Sequence, residues 1–268
     1  MLESPAVILH RLIGHHWRHG ADREFYRLQA RDAIRWLEGH GTPLGEGVRV
    51  LDLGCGQGIF GAELLARGCG VVFADSGEGL AEHLSGAAYR RIDLDREDPT
   101  LLGAYDVVVC SNVLEHLARP EAMLEAFPRL LTPGGRLYLS WTNWLSPWGG
   151  HDFSPFHYLG PRRGPALWDR WVRRPRLLEP YQNLFPTYIG RTLRMLRRQS
   201  GLAVLAVAPR YYTELAWITR IPVVREFATW NCAVLAQKTA GAAAAESSAQ
   251  SAGVPARRAS DPTKSPGS

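Results

Sequence analysis

The apolar and polar positions of this chain alternate between two spacings. Residues 22–40, DREFYRLQARDAIRWLEGH, place Phe25, Leu28, Ile34 and Leu37 near helical spacing, between a capping Asp22 and the glycines at 39 and 41. Four compact apolar runs follow, VRVLDL (48–53), VVFAD (71–75), YDVVVCS (105–111) and RLYLSW (136–141), separated by stretches with helical patterning. Near-continuous β-branched runs of this kind belong to parallel strands buried on both faces. A weaker strand is expected from Tyr89 to Ile92, and LAVLAVA (202–208) and NCAVLAQ (231–237) read as two closing strands. The expected fold class is α/β, with a seven-stranded, mostly parallel sheet and helices on both faces.

One domain over 1–238 accommodates this pattern, with an N-terminal helical region at 1–45 and an insertion after the fifth strand at 142–201. Residues 239–268 hold almost no large apolar side chain and cannot offset their ordering entropy, so a disordered tail is expected there.

Composition narrows the classes. No apolar run approaches the roughly 18–20 residues a membrane-spanning helix needs, and the apolar start PAVILHRLIG is broken by His10 and Arg11. The expectation is a soluble, cytoplasmic protein. Cys55, Cys69, Cys110 and Cys232 form no CxxC pair and sit in or beside apolar stretches, which suggests reduced, buried thiols rather than a zinc site or a disulfide framework. The formal charge of +5 is uneven: residues 162–198 carry ten arginines against Asp169 and Glu179, a local +8. That run reads as a solvated helical face, with an anionic substrate or an anionic membrane surface as the alternative. No nucleic-acid-binding module is recognisable, so no nucleic-acid partner is expected.

The chemistry begins at VLDLGCGQG, where an apolar strand ends in a turn with glycines at 54, 56 and 58 and IFGAELLARG follows as a helix. Glycines here let the backbone approach a ligand with no Cβ in the way. Asp75 ends the second strand, where a carboxylate can accept from both ribose hydroxyls of a nucleoside; Ser76 stands beside it. At the next strand end, RIDLD offers Asp93 to an adenine amino group and Ile92 or Leu94 to its ring. The loop reads G-x-G-x-G rather than the G-x-G-x-x-G fingerprint of dinucleotide oxidoreductases, which disfavours nicotinamide use.

In the order glycine loop, ribose acid, adenine acid, YDVVVCSNVLEHL and LLTPGGRLYLSW, the chain resembles the class I S-adenosylmethionine-dependent methyltransferases over about residues 30–141. Their D/E-x-G-x-G-x-G signature matches Asp52, Gly54, Gly56 and Gly58. The resemblance implies a Rossmann-like fold, S-adenosyl-L-methionine as cofactor, and a cofactor site of Asp52, Gly54, Gly56, Gly58, Asp75, Ser76, Asp93, Leu94 and Asn112. WLSPWGGHDFSPFHYLG together with PRYYTELAWITRIPVVREF is similar to an actinobacterial subgroup tied to glycolipid and secondary-metabolite modification. This implies a small-molecule or lipid-linked acceptor, with a hydroxyl on a glycolipid, sugar or polyketide-type metabolite as the expected target and N- or C-methylation of a secondary metabolite, or a non-catalytic cofactor- or lipid-binding module, as the alternatives.

Methyl transfer to an alcohol needs a base, and histidine suits neutral pH. His116 in NVLEHL is one candidate, and His151, whose neighbour Asp152 can orient an imidazole, is the other; His157 is expected to hold the loop by a structural hydrogen bond. SNVLEHL is similar to the segment where some quinone-pathway and RNA-end methyltransferases carry E-x-x-E-H for a cation. Asn112 occupies the first glutamate position here, so no required metal is expected. SNVL also stands where base-modifying enzymes carry D/N-P-P-Y/F/W, which disfavours base methylation. Trp141, Trp144, Trp148, Phe153, Phe156 and Tyr158 can either wall an apolar acceptor or pack the insertion. ELAWITRIPVVREF (214–227) is expected to dock its apolar face on the core, with a lipid interface as the alternative.

Overall fold

Each apolar run becomes a strand of one sheet in the computed structural model of the chain, which describes residues 10, 23–77, 79–173 and 175–240. In chain order the elements are α1 (Arg23–Gly39), β1 (Arg49–Leu53), α2 (Ile59–Leu65), β2 (Gly70–Asp75), β3 (Ala88–Arg91), β4 (Tyr105–Ser111) and α3 (Pro120–Ala126). They continue as β5 (Leu131–Thr142), α4 (Gly160–Trp171), α5 (Ile189–Arg198), β6 (Leu202–Pro209), α6 (Val224–Ala228) and β7 (Asn231–Lys238). The strand order is β3-β2-β1-β4-β5-β7-β6. β1 to β5 pair in parallel, and β7 runs antiparallel to both β5 and β6. This is the Rossmann-like arrangement, with its change of direction between β1 and β4. The expected residues 1–9 and 11–22 of the N-terminal region, and 241–268 of the tail, lie outside the described residues.

The double-sided burial that the apolar runs imply is visible along β4. Val107 and Val109 face one core, with Val50, Phe73 and Tyr138 from neighbouring strands and Ile34, Leu37, Phe60 and Leu64 from α1 and α2. Val108 and Cys110 face the other, with Leu51, Leu53, Leu137 and Leu139 and with Met123, Leu124, Leu193 and Leu196 from α3 and α5. Fully burying each such side chain contributes about 1.5–3 kcal/mol. The sheet is thereby rigid enough to hold the loops at its carboxyl rim. All four cysteines are free; Cys69, Cys110 and Cys232 are buried, and Cys55 is half-buried in the glycine loop.

Between β5 and β6 the chain leaves the sheet. Trp144, Phe153, Trp168 and Leu184 form a separate small core there, with Phe156, Leu178 and Tyr188 packed against it. Backbone bonds from Trp144 N to Thr187 O (3.0 Å) and from Asn143 N to Trp230 O (3.2 Å) pin its root to the rim. Of the aromatics considered as acceptor walls, Trp144, Phe153 and Phe156 belong to this packing, and Trp141 lies in the main core. Trp148 instead stacks edge-on against Trp230 beside Phe25 and Leu28 of α1, and Tyr158 is exposed.

The segment at 214–227 departs from expectation. Ile218 and Thr219 are buried, but Leu215, Trp217, Ile221, Val223, Val224 and Phe227 are exposed, so most of the apolar face does not dock on the core. A short 3-10 stretch (Thr213–Arg220) and the five-residue α6 bend the chain before one continuous face can form. At the bend, Val223 takes φ +69° and Val224 N donates back to Pro222 O at 2.9 Å, a γ-turn that points the apolar tip outward. Among the described residues no helix is long and apolar enough to cross a membrane.

Candidate active site

Parallel pairing brings the ends of β3, β2, β1 and β4 to one rim, and with them the sequence-predicted residues. Gly54, Gly56 and Gly58 take φ of +71°, +52° and +82°, backbone that favours glycine. Asp75 fastens this loop: its carboxylate accepts from Gly56 N at 2.8 Å and from Gly77 N at 2.9 Å. Ser76 lies exposed at the same turn. One strand further out, Asp93 accepts from Asp95 N at 3.0 Å, and Leu94 is half-buried beside it. Ile92, the other residue considered for the adenine ring, is buried in the core.

Asp52 sits below the loop, fully covered, accepting from Gly61 N at 2.8 Å. Burial pushes its carboxyl up to about 7, against the lowering effect of the Gly61 hydrogen bond, and the nearby Asp75 charge pushes the same way as burial. Gly61 was not singled out from sequence, yet the run Gly56, Gly58, Gly61 does spell G-x-G-x-x-G. The dinucleotide-type spacing expected to be missing is therefore present, beginning at Gly56 rather than Gly54. A Cβ on Gly61 would collide with the Phe73 ring and stand 2.9 Å from Asp52 Oδ2, so the third glycine lets α2 approach β2.

A cavity of about 450 Å³ opens over the loop, lined by Gly54, Cys55, Gly56, Asp52, Ser111 and Asn112 below and by Arg23, Tyr26 and Gln29 of α1 above. This is within the range of small-molecule sites. A Cβ built on Gly56 meets nothing within 4 Å, so the loop presents bare backbone to open space, as a cradle for a ligand requires. Asn112, at φ +57°, turns its Oδ1 to Asn231 Nδ2 at 2.7 Å.

Beyond Asn112, three groups converge. Glu115 is 1% exposed; one carboxylate oxygen accepts from Thr142 N at 2.8 Å and the other has no hydrogen-bond partner. Burial raises its carboxyl, and the neighbouring His116 opposes that rise. His116 and His151 face each other with ring centroids 5.5 Å apart, and ligating atoms of Glu115, His116 and His151 lie within 4.8 Å of one another. His116 Nδ1 stands 2.8 Å from Asn183 O; donation to that carbonyl leaves Nε2 free to take a proton. Such a trio can serve proton transfer, and its one oxygen and two nitrogens can also hold a transition cation. The expected pairing of Asp152 with His151 is not made. Asp152 Oδ2 accepts instead from Leu177 N (2.8 Å) and Leu178 N (3.2 Å), and the carboxylate brought within 4.8 Å of the two histidines is that of Glu115.

His157 is buried, with Nε2 3.0 Å from Ser146 O. Burial depresses it to about 4, against the raising effect of its backbone hydrogen bonds, so the folded loop holds a neutral imidazole. An unfolded histidine protonates near 6.5, so the native state loses stability as pH falls from 6.5 towards 4 and keeps all of it above 6.5. At about 1.4 kcal/mol per unit the loss is roughly 3 kcal/mol. Urea unfolding at pH 7.5 and pH 4.5 is expected to show this difference in wild type and a smaller one in His157→Gln.

Comparison with known proteins agrees with this architecture. A family model described as a methyltransferase domain matches residues 14–207. An uncharacterized methyltransferase of Mycolicibacterium gilvum is 33% identical over 229 residues, covering 80% of this chain and 88% of its own. One from Mycobacterium leprae is 34% identical over 224 residues, covering 77% and 80%. Among solved structures, an S-adenosylmethionine-dependent methyltransferase from Mesorhizobium loti is similar in fold, with a TM-score of 0.53 at 24% identity over 81% of this chain and 98% of that one.

Proposed function

This chain belongs to the methyltransferase-domain family, and from that premise we propose that it methylates a hydroxyl of a small-molecule, sugar, glycolipid or polyketide-type acceptor with S-adenosyl-L-methionine as donor. The observation that carries the hydroxyl reading is the meeting of Glu115, His116 and His151 beyond Asn112, at the carboxyl end of β4. When bound, the donor supplies an electrophilic methyl group on a sulfonium.

The chain's residues divide the remaining work. Gly54, Gly56 and Gly58 offer backbone at close range, Asp75 with Ser76 takes the ribose, Asp93 and Leu94 take the adenine, and Asp52 and Asn112 line the amino-acid end. His116 accepts the hydroxyl proton at Nε2; His151 and Glu115 position it and stabilise the imidazolium. The insertion rooted at Asn143 covers the acceptor side and keeps water from the reacting atoms. Lipid-linked acceptors are favoured by the exposed apolar tip at 215–227, because β7 and β6 tie its two ends to the same rim.

Incubation with donor labelled in its methyl group and a panel of hydroxylated glycolipids, sugars and polyketides is expected to give alkali-stable ethers. Label found on nitrogen or carbon would overturn the hydroxyl reading. The reaction as proposed needs no metal, so exhaustive dialysis against EDTA leaves the rate unchanged. A loss restored by a divalent cation would instead make Glu115, His116 and His151 a metal centre.

A further inference from the structure

Arg210 follows β6 at the far edge of the sheet, with β7 and β5 between its own strand and β4. It nevertheless reaches the crevice. Its backbone N–H donates to Asn231 O at 2.8 Å, and its side chain runs inward, only 5% exposed, to line the cavity over the glycine loop. Nη1 stands 3.4 Å from both Asn112 Oδ1 and Ser140 Oγ, long for bonds made by a cation, and Nε is buried with no hydrogen-bond partner. Among the described residues no carboxylate pairs with it. Asp32 of α1 feels its charge only at a distance and is itself paired with Arg35 at 3.6 Å. A buried guanidinium without a counter-ion is costly, and a planar fork with spare donors suits a carboxylate.

The direction of the donor supplies that carboxylate. Ribose at Asp75, the end of β2, and adenine at Asp93, just after β3, leave the rest of the molecule to run past β1 towards β4, where Asn112 and Arg210 meet. We propose that Arg210 anchors the α-carboxylate of the donor's methionine half, closing the cofactor site with a residue from the opposite edge of the sheet. This rests on the methyltransferase reading above. The anchor also explains why Asn112 is held from two sides, by Asn231 and by Arg210: the cation and the amide move as one unit against the ligand.

The test compares ligands with and without the carboxylate, in the absence of any acceptor, by calorimetric titration of the full chain. S-adenosylhomocysteine carries it, its methyl ester masks it, and 5′-methylthioadenosine lacks the whole amino-acid end. Wild type is expected to bind the ester about 10- to 150-fold more weakly than the acid, the worth of a hydrogen bond to a charged group. Arg210→Gln is expected to lose the same factor for the acid, to bind acid and ester alike, and to keep its affinity for 5′-methylthioadenosine. Arg210→Lys, which retains the charge, should fall between wild type and Arg210→Gln. Equal affinity of wild type for acid and ester overturns the proposal without recourse to any variant. So does a parallel loss of all three ligands in Arg210→Gln, which would make Arg210 a support for Asn112. Wild type that binds none of them contradicts the methyltransferase reading itself.

Discussion

His116→Ala is expected to lower kcat by roughly 10²- to 10⁴-fold, the usual worth of a general base, with KM for the donor unchanged. The geometry behind this is specific. A Nδ1–H donated to Asn183 O fixes the ring, and the imidazoles of His116 and His151 stand 5.5 Å apart beside Glu115. His151→Ala removes a neighbour rather than the base, so its loss is smaller, and the double variant falls little below His116→Ala alone because the residues act as a unit. Glu115→Gln keeps an oxygen for Thr142 N and removes a carboxylate from beside the two imidazoles, so its kcat is expected to fall by less than that of His116→Ala. If neither histidine variant loses tenfold in kcat, the base assignment is wrong.

Gly61→Val is expected to destabilise the protein by at least about 2–3 kcal/mol, because β-carbon and methyl groups must enter the contact between α2 and β2. Phe73 is fully buried and cannot swing aside without opening the core it shares with Leu64 and Val71. The same substitution pushes on Asp52, whose carboxylate holds Gly61 N. For a domain of this size the loss corresponds to a fall in Tm of about 5–10 °C, readable by thermal denaturation. Gly56→Val offers the contrast: its side chain enters open space, and only the strain of positive φ, about 1–2 kcal/mol, weighs on the fold. A Gly61→Val protein as stable as wild type would show that α2 does not pack this closely.

What the sequence made legible follows from the physics of each feature. The β4 run YDVVVCS corresponds to its strand end for end, because a strand buried on both faces has no freedom in its pattern. The glycine loop and Asp75 were legible for a similar reason, since backbone at positive φ admits few residue types. Glu115 was visible only as an incomplete metal motif. Its meeting with His151 depends on how the chain returns after β5, which no local spacing encodes. Asp152 misled for the complementary reason, as neighbours in sequence often point apart and this pair does. Gly61 left a signal in its spacing from Gly58 that could have been read. Arg210 left none, since nothing in PRYYTEL distinguishes a buried arginine from the many exposed ones at 162–198. The apolar spacing at 214–227 suggested a docked helix, whereas the γ-turn at Val223 breaks the face into an exposed tip.

The central claim is that the rim formed by β1, β2, β3 and β4 binds the methyl donor, and titration calorimetry with S-adenosylhomocysteine addresses it directly. Wild type is expected to bind one equivalent, while Gly56→Val, which fills the open cradle, and Asp75→Ala, which frees the loop and the ribose hydroxyls together, each weaken binding at least about tenfold, as loss of a charged hydrogen-bond acceptor does. No binding by wild type, or equal binding by all three proteins, would contradict the account.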